Sequence, residues 1–346
     1  MSGAALALPR SMSREALVLP ALALLLVAAV LAALTAGRFP IDVGRAVEIL
    51  LSAPFAEAPE TMEERIVLLV RLPRVLLAAI AGAGLAMAGA ALQGVFRNPL
   101  VAPQILGISP GAAFGGALAI LFGISGAAMV GLSFAMGLAA LLAVGLIARV
   151  GGRTEIVTVI LAGLVVGALF GALVSLLQFV ADPNGSLPAI VYWLMGSFAT
   201  ATWGRFWLAL PGLALGIALL LLLRFRLNLL SLDEAEARSL GVRPEAERWL
   251  VFVLVALIVG SQVAVSGIVG WIGLVIPHAA RFLVGHDHRV LLPASALLGA
   301  AFVVAVDTLA RTATTAEIPL GVLTAIVGAP LFAVLLRRYY RTRLAG

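Results

Sequence analysis

His286-Asp287-His288 sets two imidazoles on either side of one carboxylate, and with His278 these are all the histidines in 346 residues. Such a triplet could ligate a metal ion. The rest of the sequence gives that chemistry no support, because there is no Cys to supply thiolate and no His-Glu-x-x-His pair. The triplet reads instead as an ordinary polar loop, and no metal or cofactor is expected on this chain. Nucleotide hydrolysis is excluded by a second absence. All 23 basic residues are Arg, whereas a Walker A loop needs a Lys to reach the phosphates. A proton relay fares no better. Glu155, Arg281 and Asp307 lie near the ends of apolar stretches, and the middles carry almost no charge.

The elements that must position these residues belong in a bilayer. The chain is 62% hydrophobic and 12% charged, with mean hydropathy +1.14. A soluble domain is about 45–50% apolar and about 25% charged. Apolar stretches near the roughly 20 residues that span a membrane run over about 16–36, 72–96, 105–123, 126–149, 156–180, 205–224, 248–266, 270–284, 290–311 and 319–337. The expected fold class is therefore an all-α integral membrane protein with ten transmembrane helices, one domain over 1–346 embedded across about 16–338. A shorter apolar piece at about 188–200 reads as a partial helix. The stretch at 270–284 is short and holds Pro277, as interrupted helices beside transport paths do. The first stretch exceeds the apolar core of a signal peptide, which favours an uncleaved helix, although Leu34-Thr35-Ala36 leaves cleavage open.

With both termini cytoplasmic, sixteen arginines, from Arg10 and Arg14 to Arg341 and Arg343, fall on that side and seven on the other. The positive-inside rule selects this arrangement. It also accounts for the net charge of +6 without a nucleic-acid partner. Ridges of small residues, among them Ala78-Gly82-Ala86-Ala90-Gly94 and Gly163-Gly167-Gly171-Ser175, allow close helix approach. Packing is their ordinary use. Lining a pathway is the alternative, for Gly163, Gly167, Gly171 and Ser175 together with Trp193 and Pro277. On the outer side, Arg71 and Arg74 share a helix face and Pro73 suits a first turn, with Arg311 at the outer end of the ninth span. Taken alone, they could snorkel to lipid headgroups. The segment at 225–247 is polar and cytoplasmic, and its amphipathic core Leu229–Gly241 would ordinarily be a solvated helix.

Three stretches resemble one family. The first is Arg71-Leu72-Pro73-Arg74 with Ala88-Gly89-Ala90-Ala91-Leu92-Gln93-Gly94-Val95-Phe96-Arg97-Asn98-Pro99-Leu100 and Pro103-Gln104-Ile105-Leu106-Gly107-Ile108-Ser109-Pro110-Gly111-Ala112. The second is Leu229-Leu230-Ser231-Leu232 through Ala237-Arg238-Ser239-Leu240-Gly241. The third is Ser266-Gly267-Ile268-Val269-Gly270-Trp271-Ile272-Gly273-Leu274-Val275-Ile276-Pro277-His278. Together they are similar to the FecCD-type permeases of ABC importers for iron–siderophore, haem and cobalamin. The resemblance implies a homodimer in the bacterial inner membrane, two cytoplasmic ATPase subunits carrying the ATP and Mg, and one periplasmic substrate-binding protein. It implies ATPase coupling through Leu230, Leu232, Asp233, Glu234, Ala237, Arg238, Leu240 and Gly241. It also implies docking of the binding protein on Arg71, Arg74 and Arg311. Val101-Ala102-Pro103-Gln104 departs from the haem and cobalamin pattern and is closer to the iron–siderophore members, so an Fe(III)-siderophore cargo is expected, with haem, cobalamin or molybdate as alternatives. An ion-coupled carrier or an intramembrane enzyme would need polar groups mid-span that the sequence does not offer.

Overall fold

The computed structural model describes residues 14–53, 58–150 and 153–344, and Arg10 lies outside them. The chain folds as helices α1 (Arg14–Thr35), α2 (Val43–Ser52), α3 (Met62–Arg65), α4 (Leu72–Val95), α5 (Ile108–Leu121), α6 (Gly126–Ala148), α7 (Ile156–Val180) and α8 (Ser186–Leu194), followed by α9 (Trp203–Leu222), α10 (Arg224–Leu230), α11 (Glu234–Ser239), α12 (Pro244–Ser266), α13 (Ile272–Val284), α14 (His288–Thr312) and α15 (Leu320–Leu344). Two two-residue strands, β1 (Arg149–Val150) and β2 (Arg153–Thr154), pair antiparallel between α6 and α7. Among the described residues seven helical runs are long and apolar enough to cross a bilayer: α1, Met62–Val95, α6, α7, α9, α12 and α14. The remaining expected stretches fall on shorter apolar helices. α5, with 14 residues, and α13, with 13, are below the roughly 20 that span.

α4 is the centre of the bundle, buried over nearly all of its length. Its small residues explain how. A Cβ on Gly82 would stand 2.4 Å from the Gly299 carbonyl oxygen of α14, and one on Gly299 would stand 2.5 Å from that of Gly82. The two backbones cross in contact, which is how helices associate where lipid and side chain are equally apolar. Gly89 meets α13 more tightly still, since its Cβ would lie 1.9 Å from the Gly273 oxygen. Gly89→Ala should therefore force α4 and α13 apart and cost about 1–3 kcal/mol as overpacking. Gly171→Ala, with nothing within 4 Å, should leave the thermal midpoint of the detergent-purified protein unchanged or slightly raised. Equal midpoints for the two variants would contradict the crossing.

Two features depart from the sequence reading. Pro73 stands in the first turn of α4, as its position suggested, but it does not begin the helical run. The helical run is continuous from Met62 to Val95, and Ile66–Arg71 is a π-helical stretch directly before it. Proline lacks an N–H, so a widened turn is a natural place for it, and π turns commonly mark functional positions. The second departure is α2, an amphipathic helix with Ala46 and Ile49 buried, capped by the Asp42 carboxylate accepting from the Gly44 N–H at 2.8 Å.

Candidate functional site

The chemistry-bearing side chains gather at two opposite ends of the bundle. At one end, α4 begins beside the last turns of α1 and α14. Arg74 donates from Nε to Asp307 Oδ2 at 2.8 Å and from Nη2 to Oδ1 at 2.9 Å. Its remaining donors reach Glu317 at 3.0 and 2.9 Å. Asp307 is 2% exposed. Both of its oxygens are thus taken up by the one guanidinium. Arg71 donates to the backbone oxygens of Leu34 at 2.6 Å, Thr35 at 3.1 Å and Phe39 at 2.5 Å, and Arg311 to those of Ala36 at 2.7 Å and Ala33. Most of these oxygens belong to the terminal carbonyls that α1 cannot satisfy itself. Arg71 and Arg74 are buried and donate to groups within the chain, and the half-buried Arg311 likewise donates to α1. None of the three snorkels. A partner at this end would meet a surface these arginines shape.

Between the two ends the helices break. Ser197 N donates to Ser266 O at 2.8 Å, Leu320 N to Gly196 O at 2.8 Å and Gly321 N to Met195 O at 2.9 Å. Gly196 and Gly267 take φ values of +75° and +69°, which favour glycine. Gln262 closes the arrangement by donating from Nε2 to Gly267 O at 2.9 Å. Non-helical backbone of this kind survives in a membrane protein only where it is paired within the protein. Of the expected pathway residues, Gly163 is packed against the Ile105 carbonyl and Pro277 is buried. Trp193 is half-buried with its ring over Gly116. Gly167 is half-buried, while Gly171 and Ser175 stand on the open face of α7 beside exposed Leu164 and Leu176. That face carries no charge.

At the opposite end α10 and α11 form a platform under the bundle. Leu230 and Ala237 are buried and Leu232 is half-buried. Asp233 accepts from Arg97 at 3.2 Å, which holds its carboxyl below the usual carboxylate range. Glu234 takes Arg238 at 2.6 Å and Arg248 of α12 at 3.4 Å. Leu240 and Gly241, which follow α11, are left exposed, with Leu240 at 55%. Next to the platform, Asp287 caps α14 through the Arg289 N–H at 2.9 Å. Its carboxyl is driven well below the ordinary range by the Arg289 side chain, with the Asn228 amide adding to the effect. His288 Nδ1 lies 2.8 Å from Asn228 Oδ1. The histidine triplet is thus a helix start.

Asp307 and Glu317 are the functional-end residues that sequence reasoning missed as partners. The available signal was Arg74 itself, a cation on a mostly apolar helix that requires acids near the same end of other spans.

The profile of the FecCD transport family matches residues 24–338. The molybdate import system permease MolB of Haemophilus influenzae is 45% identical over 320 residues, 92% of this chain and 95% of that protein. The hemin transport system permease HmuU of Yersinia pestis is 41% identical over 282 residues, 79% of this chain and 84% of its own length. A solved ABC transporter in an inward-facing conformation, described as of metal-chelate type, superposes with a TM-score of 0.84 at 44% identity. That match covers 93% of this chain and 99% of the other.

Proposed function

The chain belongs to the FecCD transport family, and from that premise we propose that two copies form the membrane channel of an importer driven by two ATPase subunits beneath α11 and fed by a substrate-binding protein at the Arg74 end. It is an ABC importer permease, a multi-pass membrane protein that hydrolyses nothing itself; ATP is hydrolysed by a separate subunit. In this reading the α11 end and both termini are cytoplasmic, in agreement with the arginine distribution. The observation that carries it is the platform: α11 is braced to the bundle through Arg97–Asp233 and Arg248–Glu234 and yet presents an apolar residue outward. The uncharged open face of α7 lies along the axis between the copies, with Gly171 and Ser175 toward the path. No cofactor is held by the chain.

The cargo proposed is an Fe(III)–siderophore chelate, resting on Val101-Ala102-Pro103-Gln104. A molybdate cargo is a second reading, favoured by 45% identity over nearly the full length of a molybdate permease. Proteoliposomes holding this chain, its ATPase and its binding protein should accumulate radiolabelled cargo only with ATP inside and all three components present. Omitting the ATPase should abolish uptake; accumulation driven by an ion gradient without it would overturn the importer reading. Uptake of labelled molybdate but not of ferric siderophore would select the second cargo.

A further inference from the structure

A groove of about 1040 Å³ runs between α6 and the first half of α12, on the outside of the bundle. Its wall is hydrocarbon. Leu142, Leu146 and Val253 line it and are 69%, 82% and 48% exposed. Trp249 contributes its ring, which lies close over Gly145; a Cβ there would stand 3.1 Å from the indole. A second, apolar groove of about 410 Å³ lies further along α6 and α12, where α9 joins them, past Val130, Phe134, Leu208 and Leu257.

The end of the groove nearest α11 has a different chemistry. Arg149, which caps the end of α6, and Arg243, which precedes α12, border it. Both are exposed, and neither side chain has a hydrogen-bond or ion-pair partner among the described residues. Arg238 is also at this end but already holds Glu234 at 2.6 Å. Glu245 is the one acid in the lining, against three arginines. Two uncompensated guanidiniums at the mouth of a hydrocarbon furrow, with an indole in its wall, match one ligand chemistry: a phosphate ester carrying acyl chains. A soluble anion would use the arginines and leave the hydrocarbon wall unexplained. A neutral lipid would use the wall and leave the charge unexplained.

We propose that this groove binds an anionic phospholipid, with its phosphate between Arg149 and Arg243 and an acyl chain along Leu142, Leu146 and Val253. The site lies on an exposed face of α6, and its occupancy requires neither ATPase nor cargo. Its failure would therefore leave the importer reading intact.

The test uses the full chain in detergent micelles and bromine-labelled lipids, which quench tryptophan on contact. The quenching lost in Trp249→Phe isolates the signal from Trp249. Brominated phosphatidylglycerol should quench that signal at about 25-fold lower concentration than brominated phosphatidylcholine, since each arginine near the surface contributes about fivefold. Arg149→Ala with Arg243→Ala should erase the preference while keeping the thermal midpoint, because both side chains are exposed. Leu146→Phe, which narrows the furrow and keeps both arginines, should reduce the phosphatidylglycerol retained in native mass spectrometry. Equal quenching by the two lipids, or a preference unchanged in the double variant, would overturn the proposal. Displacement of the lipid by millimolar inorganic phosphate would do so as well, by showing a site for a soluble anion.

Discussion

Asp307→Ala should strongly lower the stability of the protein. Arg74 gives Asp307 two hydrogen bonds, at 2.8 and 2.9 Å, and the two side chains are 11% and 2% exposed. Removing the carboxylate strands a guanidinium that has already left water. Breaking a buried pair by deleting one partner costs about 3–5 kcal/mol. Glu317 recovers part of that through its own bonds to Arg74, but its side chain is 30% exposed and its attraction is weakened by solvent. The expected result is a sharp fall in monodisperse protein after detergent extraction and a clearly lower thermal midpoint in what survives. Replacing both partners by hydrocarbon, Arg74→Met with Asp307→Leu, should recover most of the loss, because an apolar pair of similar volume is often neutral or better than a buried ion pair. A midpoint for Asp307→Ala equal to that of the unaltered chain would show that water reaches the pair.

That ion pair marks the limit of what could be read from residues in order. The long helices were legible because each is an apolar stretch of bilayer length bounded by charge or by a cap. α7 begins and ends where its hydropathy does, at Ile156 and Val180. The short α13 was also visible from its length and Pro277, and the partial helix expected at about 188–200 is found a little earlier, as α8 at Ser186–Leu194. What could not be read is anything set by the third dimension. Arg71, Arg74 and Arg311 were correctly gathered at one end, yet their heads turn inward, because Asp307 is 233 positions from Arg74 and the carbonyls of α1 are unsatisfied until α4 packs beside them. Likewise Gly163 reads identically to Gly171 along the helix. One faces the Ile105 carbonyl and the other faces open space. Helix α2 was missed because its ten residues carry too little hydrocarbon to register as a span.

Leu240→Asp should abolish coupling while leaving the membrane fold intact. The reasoning starts from exposure. Leu240 stands 55% exposed just after α11, so a carboxylate there meets water in the isolated permease and should shift its thermal midpoint little. The brace behind it is untouched: Ala237 stays buried, and the Arg97–Asp233 and Arg248–Glu234 pairs lie on other residues. In the assembled importer the position changes character. If α11 seats in an ATPase groove, Leu240 is its most exposed large apolar side chain, and burial of such a side chain contributes about 1.5–3 kcal/mol. A carboxylate would forfeit that and add the cost of a buried unpaired charge, several kcal/mol more. Together these predict at least tenfold weaker association with the ATPase and loss of ATP-driven uptake, with detergent elution unchanged. Leu240→Met, which keeps the volume and the hydrocarbon, should retain uptake within about twofold. Normal uptake by Leu240→Asp in an intact complex would show that the force passes elsewhere, and the remaining contact on this platform would then have to be sought along the exposed Glu236 and Ser239 side of α11.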